Sequence, residues 1–156
     1  MIEITIPGRG SYRLKHLVLD LNGTIALDGE IIEGVGEKLQ KLGRLLGISI
    51  VTADTHGSAQ RLEADITIRI HIIEKGAEDA QKLALVEQLG KANTVSIGNG
   101  CNDVSMLRES ALGICVLGGE GAVVEAMMNA DLLVPDINTA LDLLLNTDRL
   151  VATLRK

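Results

Sequence analysis

Aromatic side chains are nearly missing from this sequence: Tyr12 stands alone, with no Phe and no Trp among 156 residues. Proteins that hold unpaired nucleic acid need aromatic faces on which bases stack, so that class is excluded. Positive charge is also short, 15 Lys and Arg against 21 Asp and Glu, for a net charge of −6. A surface that tracks phosphate backbones or an anionic membrane needs the opposite balance. No apolar run approaches the ~20 residues that span a bilayer. The opening MIEITIPGRG lacks the charged and then apolar stretches of a secretory signal. Two cysteines, Cys101 and Cys115, are too few for a disulfide framework and fit a reducing compartment. The expectation is a cytoplasmic protein that binds neither nucleic acid nor membrane.

What the sequence does have is apolar bulk and glycine. Hydrophobic residues make up 46%, and there are 17 glycines against two prolines. The length suits a single domain over 1–156 with one core. Short apolar runs alternate with amphipathic stretches, the pattern of an α/β fold: a Rossmann-like, mainly parallel sheet with helices on both faces. An opening hairpin is expected over 3–6 and 12–14, then a strand over 16–21. Asp28-Gly29 is a hairpin-turn dipeptide and predicts a small flap over 26–32. Val35, Leu39, Leu42, Leu45 and Leu46 share one face of a helix over 34–46. A strand over 48–51, a short helix over 58–64 and a half-exposed strand over 66–72 follow. Helices are expected at 77–89, 103–110, 120–129 and 139–145, with strands at 94–97, 112–116 and 132–134.

Three polar clusters fall at the carboxyl ends of three of these strands: Asp20-Leu-Asn-Gly-Thr24, Thr52-Ala-Asp54 and Gly98-Asn-Gly-Cys-Asn-Asp103. In open parallel sheets ligands bind outside those ends. A carboxylate beside a glycine turn pairs an oxygen nucleophile with backbone N–H groups suited to phosphate. The third cluster adds oxygen ligands for a hard cation. Taken singly, each cluster also reads as an ordinary turn or helix cap. His16, His56 and His71 share no metal-ligand spacing, and Gly118-Gly-Glu-Gly121 lacks the Lys-Ser/Thr ending of a phosphate loop. That glycine run reads as a turn into a helix, and Cys101 as a filler of its loop.

In this order the clusters resemble the haloacid dehalogenase superfamily, and most of all the phosphorylation domain of P-type ATPases freed from its membrane part. Val18-Leu-Asp-Leu-Asn-Gly-Thr24 resembles the first motif, D-x-D-G-T or D-K-T-G-T. Val51-Thr-Ala-Asp-Thr-His-Gly-Ser-Ala59 resembles the segment around T-G-D. Gly98-Asn-Gly-Cys-Asn-Asp-Val-Ser-Met-Leu107 resembles G-D-G-x-N-D-x-x-x-L. The likeness covers roughly residues 15–145. It implies that Asp20 attacks phosphorus to form an aspartyl-phosphate, while Gly23, Thr24, Thr52, Ala53 and a lysine hold the phosphoryl oxygens. Leu85-Val86-Glu87 after Lys82 resembles the family's helical register following that lysine, which favours Lys82 over Lys75. It also implies Mg²⁺ held by Asp20, the Asn22 carbonyl, Asn99 and Asp103.

Two departures qualify the likeness. Asn22 stands where the phosphatases carry a second Asp, and an amide neither gives nor takes a proton. That assistance is worth ~10²–10⁴ in rate. Asn99 stands where an Asp usually coordinates the metal, so one charge is lost and weak Mg²⁺ binding is expected. Only 28 positions separate Thr24 from Thr52, and 46 separate Thr52 from Gly98, which leaves no room for a cap domain. The expected protein is a slow, capless phosphohydrolase or phosphotransferase acting on a small-molecule phosphate or a phosphoprotein, with a homo-oligomer roofing its open site. A ring-forming sugar-phosphate phosphatase is disfavoured by Asn22. The rival from another class is a phosphate- or partner-binding domain that kept the fold and lost turnover.

Overall fold

The computed structural model describes residues 1–53 and 68–156. The chain opens with an antiparallel hairpin of β1 (Ile2–Ile6) and β2 (Gly10–Leu14). β3 (His16–Asp20) follows, then the flap of β4 (Ala26–Leu27) and β5 (Glu30–Ile31). Asp28 and Gly29 both take positive φ, 51° and 78°, the backbone that a two-residue hairpin turn of the expected kind demands. After α1 (Val35–Gly43) come β6 (Gly47–Thr52) and, beyond 54–67, β7 (Ile68–Ile72). The rest alternates: α2 (Glu78–Leu89), β8 (Thr94–Gly98), α3 (Val104–Glu109), β9 (Leu112–Val116), α4 (Val124–Asn129), β10 (Leu132–Val134). Two helices close the chain, α5 (Ile137–Leu145) and α6 (Thr147–Leu154).

Six strands form one parallel sheet in the order β10-β9-β8-β3-β6-β7. Side chains alternate across it, as a strand's period of two requires. Leu17 and Leu19 of β3, Ile48 and Ile50 of β6, and Ile114 of β9 join the core beneath α1, α5 and α6. Val18 and Val51 point the other way, against Val86 of α2 and Met106 of α3, while Cys115 meets Val104, Leu107 and Ala126. Helices therefore cover both faces, as the alternating pattern predicts. Among the described residues no helix is long and apolar enough to cross a membrane, and no cap domain interrupts the series.

Several boundaries differ from the sequence expectation, each for a local reason. The helix expected over 120–129 starts only at Val124, because Gly118 and Gly121 take φ of 58° and 80° and break the helical path. α1 stops at Gly43, which leaves Leu45 43% exposed instead of on the apolar face. α5 starts two residues early because Asp136 caps it, its carboxylate accepting from the Thr139 N–H at 2.8 Å. α6 has no counterpart in the sequence reading; it buries Leu150 and Leu154 one turn apart in the core beside the hairpin. Ile72 ends the edge strand β7 at 63% exposure, so the alternation there is incomplete. The helix expected over 58–64, together with Asp54, His56 and Ile66, lies outside the described residues.

β9 and α3 approach closely at Gly113. A Cβ on Gly113 would lie 2.1 Å from the Leu107 carbonyl oxygen, a backbone atom that cannot swing aside. Gly113→Ala should therefore cost about 3 kcal/mol, the upper part of the range for overpacked cores. Urea denaturation reads this directly, and a variant as stable as the parent would contradict the packing described.

Candidate active site

The chain leaves β3 for β6 and β7 on one side, then returns to place β8, β9 and β10 on the other. A crevice opens at such a reversal, outside the carboxyl ends of the strands. Asp20 ends β3, Thr52 ends β6, and Asn99 follows β8. The pairing registers Asp20↔Val51 and Leu19↔Ile97 bring these three ends level. The three polar clusters thus meet at one place, apart from Asp54, which lies outside the described residues.

Lys82 reaches into this crevice from α2. Its Nζ donates to Asp20 Oδ1 and to Asp103 Oδ1, both at 2.7 Å. The Lys82 side chain is 1% exposed and that of Asp103 is fully buried. Lys75 contacts neither carboxylate and lies at the rim. Burial pushes the Asp20 carboxyl up to about 6, and the neighbouring Asp103 charge adds to the rise. Lys82 and the Thr24 hydroxyl act against that rise by favouring the ionised form. Burial alone would lower Lys82, but the charges of Asp20 and Asp103 outweigh it and hold the ammonium above its ordinary range.

The remaining oxygens are ordered around this ion cluster. The Thr24 hydroxyl lies 3.2 Å from Asp20 Oδ2 and 3.1 Å from Asn99 Oδ1. Asp103 Oδ2 accepts from the backbone N–H groups of Asn99 and Gly100, both at 2.9 Å. Asp79, one turn before Lys82, accepts from the Ser105 N–H and hydroxyl and so ties α2 to the start of α3. The Gly23 and Thr24 amides donate within the turn, to Ala26 O at 2.8 Å and Leu21 O at 3.3 Å. They shape the loop rather than standing free. Asp20, Asn99 and Asp103, with the adjoining Asn22 carbonyl, form a set of oxygen donors only, which suits a hard cation. Two carboxylates against one ammonium leave a net negative charge for it. No three His, Cys, Asp or Glu side chains cluster as a metal site among the described residues, so the amide and carbonyl oxygens would have to take part.

A cleft of about 510 Å³ opens over the cluster, and Asn22, Thr52 and Ala53 line it together with Asp20, Lys82 and Asn99. Asn102 and Glu120 also line it, and neither was singled out from the sequence. Glu120 belongs to the glycine run that reads as a simple turn; the backbone torsions that aim it at the cleft leave no mark in a motif. His71 faces Ser49 at 3.2 Å on β6, and His16 lies at the opposite end of β3 from Asp20. Cys101 is exposed and Cys115 buried, both free, and burial with the nearby Asp103 charge pushes the Cys115 thiol up to about 11.

Known proteins share this architecture. A Moraxella catarrhalis 3-deoxy-D-manno-octulosonate 8-phosphate phosphatase, crystallised with magnesium, phosphate and its sugar, superposes with a TM-score of 0.69 at 20% identity over 91% of this chain and 94% of its own. A Legionella pneumophila protein assigned to subfamily III A of the haloacid dehalogenase superfamily gives 0.71 at 18% identity, over 89% and 86%. The chain has the haloacid dehalogenase fold. No protein-family model matches it. An uncharacterised protein of Methanocaldococcus jannaschii is 49% identical over 84 residues, 51% of this chain and 90% of that protein, and the chain belongs to one family with it. The ATP-binding subunit of a Xanthomonas campestris potassium-transporting ATPase is 28% identical over 112 residues, 70% of this chain but only 16% of that subunit. The P-type ATPase resemblance read from the motifs is thus found again, confined to one segment of a far longer protein.

The electrostatics carry a sign that can be measured. Lys82 favours ionised Asp20, so Lys82→Met should move the Asp20 carboxyl above its value of about 6 in metal-free protein. Side-chain carboxyl NMR titration follows this, and an unmoved or lowered value would contradict the contact.

Proposed function

We propose that this protein is a Mg²⁺-dependent phosphohydrolase or phosphotransferase that works through an aspartyl-phosphate on Asp20. The observation that supports it most is the buried Asp20–Lys82–Asp103 cluster at the switch point of a haloacid dehalogenase fold. Asp20 Oδ2, the oxygen not bonded to Lys82, attacks phosphorus in line, and the bond to the leaving oxygen breaks. Lys82 stays beside the forming acyl phosphate, while the Thr52 hydroxyl and the Ala53 amide hold the equatorial oxygens. Thr24 keeps the Asp20 carboxylate aimed. Asp20, the Asn22 carbonyl, Asn99 and Asp103 would hold Mg²⁺, in keeping with the magnesium in the Moraxella complex. Bound there, the ion supplies positive charge that offsets the charge on the phosphoryl oxygens. With two carboxylates and one ammonium in the set, its affinity is weak until a phosphate arrives.

Asn22 limits the chemistry. It lines the cleft where the phosphatases' second Asp would stand, yet its amide exchanges no proton. Acyl and aryl phosphates leave as stable anions and depend least on that proton; sugar and other alkyl phosphates depend on it most. The site is uncapped, so we also read the cleft as roofed by a second subunit in a homo-oligomer or by a large substrate such as a phosphoprotein.

Slow Mg²⁺-dependent turnover of acetyl phosphate and p-nitrophenyl phosphate is expected, with sugar phosphates close to background. Asp20→Asn should abolish it, and Asn22→Asp should raise it by up to ~10²-fold, the lower end of what proton transfer contributes. If neither variant changes anything, the chain is a phosphate- or partner-binding domain instead.

A further inference from the structure

Every step of the reaction above that needs a proton lacks a donor or acceptor in the first motif, yet the cleft holds a second carboxylate. Among the described lining residues, Asp20 and Glu120 are the only acids. Asp20 is committed as nucleophile and bonded to Lys82. Glu120 is exposed, and among the described residues it makes no hydrogen bond or ion pair.

Its position is built rather than incidental. Gly23, the residue after Asn22, takes φ of 78°, and a Cβ there would lie 2.5 Å from Glu120 Oε2. The Glu120 carboxylate therefore lies against the first-motif turn, in the space that a Cβ on Gly23 would need. The loop that carries it is held on three sides. A Cβ on Gly118 would lie 3.0 Å from the Gly23 carbonyl, and one on Gly119 would lie 2.7 Å from Leu27 of the flap. On the third side the Asn99 amide donates to Gly121 O at 2.9 Å. A carboxylate at position 99 could not make that last bond. The two departures from the family pattern are then connected: Asn22 removes one carboxylate, and Asn99 fastens the loop that brings in another.

We propose that Glu120 is the proton-exchanging group of this cleft, doing from the β9–α4 loop part of what an acid at Asn22 would do; the proposal rests on the phosphoryl-transfer reading. In the first step Asp20 Oδ2 bonds to phosphorus, the ester or anhydride bond breaks, and protonated Glu120 gives its proton to the leaving oxygen. In the second, water bonds to phosphorus while the Glu120 carboxylate takes its proton. The acyl phosphate bond to Asp20 breaks, phosphate leaves, and Glu120 is again protonated. A glutamate reaching in from an exposed loop is held less firmly than a motif side chain, which keeps turnover slow but above zero.

Acetyl phosphate separates the two steps, because acetate departs without help from an acid. Wild-type protein and Glu120→Gln are mixed with it in Mg²⁺, and the phosphorylated fraction and its decay are followed by rapid quench. The adduct still forms in Glu120→Gln but decays about tenfold more slowly, below the full range for acid–base assistance because Glu120 is exposed. The steady-state phosphorylated fraction rises accordingly. In an Asn22→Asp background the cost of Glu120→Gln shrinks several-fold, since two groups that share a role are not additive. Equal losses in formation and decay, or decay at the wild-type rate, overturn the role of Glu120 alone. A wild-type protein that forms no adduct overturns it together with the phosphoryl-transfer reading.

Discussion

A single ammonium, buried between two carboxylates, organises this structure. Lys82 comes from α2, Asp20 from the end of β3, and Asp103 from the turn before α3. Removing the Lys82 ammonium would leave two buried carboxylates without their cation, at a cost of about 3–5 kcal/mol. The cluster adds to the apolar packing of Val18, Val86 and Met106 in holding these elements together, at the strand ends. The same contacts set the charge of Asp20: burial and Asp103 raise its carboxyl, Lys82 opposes them, and the balance leaves it at about 6.

The rest of the site depends on that cluster. Asp103 also gathers the Asn99 and Gly100 N–H groups, so the loop after β8 is wound around a carboxylate already fixed by Lys82. Asn99 passes the order on in two directions, through Oδ1 to Thr24 and through Nδ2 to Gly121. The first contact orients the Asp20 carboxylate through Thr24. The second anchors the glycine loop against the first-motif turn and its flap. The Nδ2 donation to Gly121 is something a carboxylate at position 99 could not make, which gives Asn99 a positive structural reason.

Much of this was legible in the sequence because it rests on local pattern. β3, β6 and β9 are short apolar runs buried on both faces, and Asp28-Gly29 announces its own turn. Asp20, Thr52, Asn99 and Asp103 stand out because polar groups interrupt apolar strands at their ends. Lys82 is favoured by its likeness to the family's register after the site lysine, carried by the residues that follow it. What escaped depends on long-range contact. α6 is a short helix with only two buried leucines, Leu150 and Leu154, and its stability comes from the core it joins. Glu120 sits in a run whose torsions at Gly118 and Gly121 are set by a flap and an asparagine distant in sequence. The late start of α4 has the same cause.

The fold is that of the haloacid dehalogenases, and the ion cluster places a carboxylate, Asp20, beside a buried ammonium at its strand ends. The central claim is that the oxygen of Asp20 becomes covalently bound to phosphorus. Acid-quenched protein from a reaction with acetyl phosphate and Mg²⁺ tests it directly, by peptide mass spectrometry after borohydride reduction of any acyl phosphate. The account predicts a phosphoryl adduct on the peptide carrying Asp20 and reduction of that residue alone to homoserine. Phosphate release with no modification at Asp20, or a label on another residue, would contradict it.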